Sequence, residues 1–199
     1  METEILTALI TFGFIASVTP GPNNLMLMSS GANFGIRRTI PHLLGISVGF
    51  FVMVVLVGMG LMQVFEYYPI AYEILRWISI GYLSYLAWKI ATASRVSANR
   101  GSRPLTYLQA ALFQWVNPKA WAFALSALTI YAPSQNLAAI ALVALILGLV
   151  NLPSIFIWVV LGQRIHQLLH SPIRLKAFNY GMAILLMASL YPILAVPSA

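Results

Sequence analysis

Two apolar stretches of this chain, each long enough to cross a membrane, are interrupted by residues that end helices. Thr19-Pro20-Gly21-Pro22-Asn23-Asn24 breaks the first, and Gln114-Trp115-Val116-Asn117-Pro118-Lys119 breaks a later one. Proline lacks the amide donor that a helix interior needs, and its ring crowds the preceding turn. Lipid supplies no water to the freed carbonyls, so such a break survives only where protein or a wet cavity surrounds it. Broken helices at matching places in two halves of a membrane protein point to a transporter's binding site.

Composition places the whole chain in the bilayer. Of its 199 residues 60% are apolar and only 8% charged, with a mean hydropathy of +0.87, outside the range of soluble domains. The expected class is an all-α membrane protein. Apolar runs of about 20 residues fall at roughly 5–30, 41–63, 70–92, 107–131, 137–161 and 177–196, predicting six spans in one transmembrane domain. Glu2 and Glu4 precede the first run with no Lys or Arg, the wrong pattern for a cleavable signal peptide, so span 1 is expected to remain.

The polar stretch Thr92–Thr106 divides the spans three and three. This suggests repeat one over 1–92, a linker over 93–106 and repeat two over 107–199. An odd number of spans per repeat turns the second upside down relative to the first, the inverted-repeat plan with interrupted helices 1 and 4. Pro22 and Pro118 then correspond, and the same offset of 96 residues carries Pro41, near the start of span 2, onto Leu137, near the start of span 5.

The net charge of +7 raises nucleic-acid binding, but the basic residues lie in alternate loops. Arg37, Arg38, Lys89, Arg95, Arg100, Arg103, Arg164, Arg174 and Lys176 fall on one side, while 63–69 and 132–136 hold none. That is the positive-inside pattern, with both termini periplasmic. Topology accounts for the charge, and no nucleic-acid partner is expected. The chain has no cysteine and no aspartate, and its three histidines and four glutamates form no ligand cluster, so neither metal nor cofactor is expected.

Asn117-Pro118 reads as an N-cap followed by proline at the first helical position, and Thr19-Pro20 and Gly21-Pro22 can serve likewise. Each break then joins two half-helices: free amides and partial positive charge on the outgoing side, unpaired carbonyls on the incoming side. Such a junction suits a zwitterion. Lys119 lies about 18 Å of helix rise into span 4, where an ammonium needs a partner, here a carboxylate or other anion. Asn151, with Pro153, adds a polar point at membrane depth that either lines the same cavity or only kinks the helix. Glu73 and Arg76 are spaced to pair along a helix, and His42, whose charge changes in the physiological range, reads as a satisfied interfacial histidine in preference to a proton-handling group. Gly45-Ile46-Ser47-Val48-Gly49 mimics a nucleophile elbow, but in an apolar helix without catalytic carboxylates it reads as helix packing.

Thr19-Pro20-Gly21-Pro22-Asn23, Gly35-Ile36-Arg37, Gly45-x-x-x-Gly49-Phe50, Gly81-Tyr82-Leu83-x-x-Leu86-Ala87-Trp88-Lys89 and Asn117-Pro118-Lys119 together resemble the LysE/RhtB family of bacterial amino-acid exporters. The likeness is strongest to the branch that exports cysteine and O-acetylserine. It implies a secondary transporter of the inner membrane moving small neutral amino acids outward (cysteine, O-acetylserine, homoserine or threonine), with the proton gradient as its expected drive. A homo-oligomer is compatible with this. Many members carry Asp where this chain has Asn23, which argues against basic substrates. The expected substrate site is Thr19, Pro20, Gly21, Pro22, Asn23, Asn24, Gln114, Asn117, Pro118, Lys119 and Asn151. The competing readings are a passive channel for small solutes, a membrane-embedded enzyme and a non-transporting scaffold.

Overall fold

The computed structural model describes residues 3–61, 63, 67–93, 103–132, 136–166, 169 and 171–194. Glu2, Arg95, Arg100, most of the 93–106 linker and residues 195–199 lie outside them. Among the described residues the fold is helical, with no strand. The helices are α1 (Thr3–Val18), α2 (Pro22–Leu56, prolonged by a π-turn at Val57–Leu61), α3 (Pro69–Ala91), α4 (Tyr107–Phe113, followed by a 3-10 turn at Gln114–Val116), α5 (Pro118–Tyr131), α6 (Leu137–His166), α7 (Pro172–Ala188) and the single turn α8 (Tyr191–Leu194).

The distribution of side chains is that of a protein in lipid. Large apolar residues such as Ile15, Trp77, Leu149 and Ile184 are exposed, whereas Asn24, His42, Gln114, Asn117, Asn151 and Asn179 are buried. Water would invert that arrangement; a hydrocarbon solvent allows it. Pro22–Leu61 and Leu137–Ile165 are each long and apolar enough to cross a bilayer.

Helix α2 is not straight. Gly35 has φ 78° and ψ 170°, a region open essentially only to glycine. The chain folds back there, as the 2.8 Å hydrogen bond between Ser30 Oγ and Thr39 Oγ1 requires: nine residues of unbroken helix would hold these groups about 13 Å apart. The two arms, 22–34 and 36–56, both lie along α6. Gly31 abuts the Val159 carbonyl and Gly162 the Met28 carbonyl, Ile36 N donates to Gln163 Oε1, and Gly58 meets Ile140 farther along. The helix thus continues through Arg37 and Arg38 instead of starting near Pro41, because hydropathy marks where the lipid begins and not where the backbone coils. For the same reason α7 starts at Pro172, ahead of its apolar run, and α6 ends at His166.

Gly45 and Gly49 pack against the backbone of Tyr107 and Ala111 in α4, which bears out their reading as a close-approach motif. On the other flank α3 packs along α7, with Leu83, Leu86, Met182 and Leu186 closing on Met26 and Phe113. Glu73 and Arg76 form the expected pair, 3.4 Å apart. The breaks between α1 and α2 and between α4 and α5 face each other inside this frame.

Candidate functional site

Both breaks form as half-helix junctions. Pro22 and Pro118 each occupy the first turn of an outgoing helix, capped by Gly21 and Asn117. Asn117 Oδ1 accepts from Lys119 N at 3.2 Å, and Asn117 N closes the 3-10 turn on Gln114 O at 3.2 Å. Thr106 and Gln109 form a capping box that fixes where the incoming helix α4 begins.

Side chains answer the carbonyls of Ser17, Val18 and Thr19 at the end of α1. Asn24 Nδ2 donates to Ser17 O at 2.7 Å and to Thr19 O at 2.8 Å. Trp158 Nε1, from α6, donates to Val18 O at 3.1 Å. Lys119 Nζ reaches across from the second break to donate to Thr19 O, and lies 3.4 Å from Pro20 O. The Lys119 ammonium is thereby hydrogen-bonded at the negative end of a helix, the favourable sense for its dipole. Its partners here are backbone carbonyls instead of the anion expected from the sequence. Gly21 makes the approach possible, since a Cβ there would sit 2.6 Å from Lys119 Cδ.

A second tie joins the breaks. Asn23 Nδ2 donates to Gln114 Oε1 at 2.8 Å, and Gln114 Nε2 returns a bond to Asn23 Oδ1 at 3.2 Å. The remaining proton of the Gln114 amide goes to Ala110 O at 2.9 Å. Asn151 sits behind them: its Nδ2 donates to Ser17 Oγ at 3.1 Å and its Oδ1 accepts from Ser47 Oγ at 3.3 Å. Helix α6 runs unbroken through Pro153, so Asn151 lines the cavity as well as standing beside a proline.

All eleven expected residues therefore fall at or between the two breaks, with Thr19 and Pro20 on the exposed side and Asn24, Gln114, Asn117 and Asn151 buried. Sequence reading missed Ser17, Ser47 and Trp158, which complete the hydrogen bonding, and Phe50 and Phe123, which stack at 4.8 Å and form the apolar wall. Ser17 carried a signal, one turn ahead of the break. Trp158 carried none. The cavity enclosed by Ser17, Asn23, Asn117, Lys119, Phe123 and Asn151 holds about 30 Å³, enough for one or two waters and too small for an amino acid. Among the described residues no group of His, Cys, Asp or Glu could hold a metal.

Comparison with known proteins agrees with the motifs. The LysE type translocator family matches residues 14–189. The cysteine/O-acetylserine efflux proteins of Escherichia coli strain K12 and of Shigella sonnei strain Ss046 are each 28% identical over 170 residues, covering 84% of this chain and 87% of theirs. No solved structure matches. The family is one of transporters and not of enzymes. The match spans both broken helices, the reversal at Gly35 and the α6 scaffold behind them, and the chain belongs to the LysE type translocators.

Proposed function

We propose that the chain is a six-span, inverted-repeat exporter of the bacterial inner membrane, moving small neutral amino acids such as cysteine, O-acetylserine, homoserine or threonine outward at the expense of the proton gradient. The observation that carries this reading is the meeting of the two breaks, with the Lys119 ammonium on the carbonyls of Thr19 and Pro20. That contact is half of what a zwitterion would make. An entering substrate replaces it in kind: its ammonium takes the Thr19 and Pro20 carbonyls, and its carboxylate takes the released Lys119 and the first-turn amides of α2 or α5. The cost of separating an ammonium from its partners is offset within the same step. Pro22 and Pro118 occupy equivalent places in their helices, which supports the repeat alignment. Both termini are assigned to the periplasm on the loop charges.

The present cavity admits no amino acid, so binding requires the halves to part at the Asn23–Gln114 tie, and rocking about this seam alternates access. Counterflow in proteoliposomes tests the reading. Internal cysteine, O-acetylserine, homoserine or threonine should accelerate entry of labelled O-acetyl-L-serine, and lysine or arginine should not. Flux indifferent to internal substrate would indicate a channel, and turnover of a solute by the purified protein an enzyme.

A further inference from the structure

A larger cavity, of about 270 Å³, lies between both arms of α2, the C-terminal half of α3 and the residues leading into α4. It is lined in part by Lys89 and Arg103, two of the basic residues by which this side is assigned to the cytoplasm. Among the described residues that line it there is no carboxylate to balance Lys89 and Arg103. Trp88, 63% exposed, stands at the rim. His42 is also on its wall, 1% exposed, and its buried Nδ1 and Nε2 have no hydrogen-bond partner among the described residues. The sequence reading of a satisfied histidine is corrected here. Each unanswered nitrogen of a buried ring costs about 1–3 kcal/mol, which a purely structural position would avoid by being apolar.

We propose that this cavity is a second binding site for the zwitterionic head of the substrate, loaded from the cytoplasmic side before the breaks are reached. The inference rests on the export reading and adds a station to it. Lys89 and Arg103 take the carboxylate as charge-assisted partners. A neutral imidazole offers one acceptor and one donor, and the acceptor of His42 takes the substrate ammonium as the side chains covering the ring part to admit it. The wall is fixed beforehand: Ser30 is bonded to Thr39, and Asn33 Nδ2 to Ser29 O at 2.8 Å and to Asn179 Oδ1 at 3.1 Å. The floor is Met26, three residues and about 4.5 Å of helix rise from Asn23. Met26 packs with Phe113, which directly precedes Gln114. A single layer of side chains therefore separates the cavity from the breaks.

The test is counterflow of O-acetyl-L-serine by the full chain in proteoliposomes, with its thermal stabilisation measured in nanodiscs. His42→Leu, Lys89→Gln and Arg103→Gln should each raise the half-saturation concentration about tenfold, with the maximal rate within twofold of wild type. His42→Gln, which keeps a donor and an acceptor, should lose less than His42→Leu. A structural histidine predicts the opposite for His42→Leu: unchanged half-saturation and a higher melting temperature, and that result would overturn the site. Should His42→Leu fail to fold, unchanged half-saturation in both Lys89→Gln and Arg103→Gln overturns it equally. Wild-type protein that shows no counterflow, yet is stabilised by O-acetyl-L-serine in a His42-dependent way, would sink the export reading and leave the site standing. Normal wild-type counterflow with indifferent variants would do the reverse.

Discussion

The Asn23–Gln114 pair gives the most quantitative test of the seam. It consists of two reciprocal amide bonds of 2.8 and 3.2 Å between residues 91 apart in sequence, and Gln114 is fully buried. Each such bond contributes about 0.5–1.5 kcal/mol net, so the pair should couple the two breaks by about 1–3 kcal/mol. Gln114→Ala also strips a proton from Ala110 O and leaves a hole, whereas Asn23→Ala leaves the Gln114 amide half-satisfied. The single variants should therefore each cost more than the bonds alone, and the double variant less than their sum. A double-mutant cycle isolates the coupling, read by reversible unfolding in mixed micelles at equal detergent. Additivity within about 0.5 kcal/mol would show that the residues act independently and would remove the tie from the account. The same pair must open for an amino acid to enter the 30 Å³ cavity. Weakening it by about 1.4 kcal/mol should thus enrich the open form about tenfold, and alkylation of a cysteine introduced at Ser17 reads that shift.

Lys119→Ala should abolish counterflow while the protein still accumulates in the membrane; loss of activity matched by loss of protein would return the residue to a structural role. Gly21→Ala places a methyl 2.6 Å from Lys119 Cδ, and because that stem is flexible, transport should fall by more than stability does, as flux and melting temperature measured on one preparation would reveal. Gly162→Ala would set a Cβ 2.1 Å from the Met28 carbonyl, a backbone clash that prises α2 from α6 at about 1–3 kcal/mol and lowers the melting temperature by several degrees; an unchanged melt would refute that packing. Cysteines at Glu2, Tyr67 and Ser134 should react with an impermeant thiol reagent from outside intact cells, and those at Asn33 and Ser97 should not; labelling at position 97 would reverse the orientation.

The parts of this molecule legible in its sequence are those where local chemistry decides the backbone. A lone proline is tolerated inside a helix here, as at Pro41 and Pro153, but Pro20-Gly21-Pro22 puts two prolines and a glycine together, and Asn117 ahead of Pro118 leaves little but an N-cap. Gly45 and Gly49 announce a close approach because their spacing puts both on one helix face, though not that Tyr107 and Ala111 would fill it. Contacts made across the fold left no such trace. The reach of Lys119 to Thr19 O depends on how α5 is set against α1, and a lone lysine specifies a need for a partner without naming it. The reversal at Gly35 was hidden for another reason. A glycine beside two arginines reads as an ordinary loop, whereas the chain turns within one residue and both arms stay helical.

The absence of acid from the seam bears on what the protein can select. In the closed form the lone charge among the breaks is the Lys119 ammonium, held by carbonyls and by no carboxylate. A neutral amino acid brings one ammonium and one carboxylate, so the net charge of the site is the same before and after it binds. Lysine or arginine would bring a further cation into a space that already holds Lys119. At about 7 Å and an effective dielectric near 20 that repulsion is about 2.4 kcal/mol, or roughly fiftyfold in affinity, before any desolvation of the added charge. An aspartate at position 23 would cancel most of it, and in this chain that position is Asn23, committed to Gln114 by both ends of its amide. On the proposed reading, discrimination against basic side chains then needs no group that touches the side chain at all, because it follows from the cation already held at the place where the two broken helices meet.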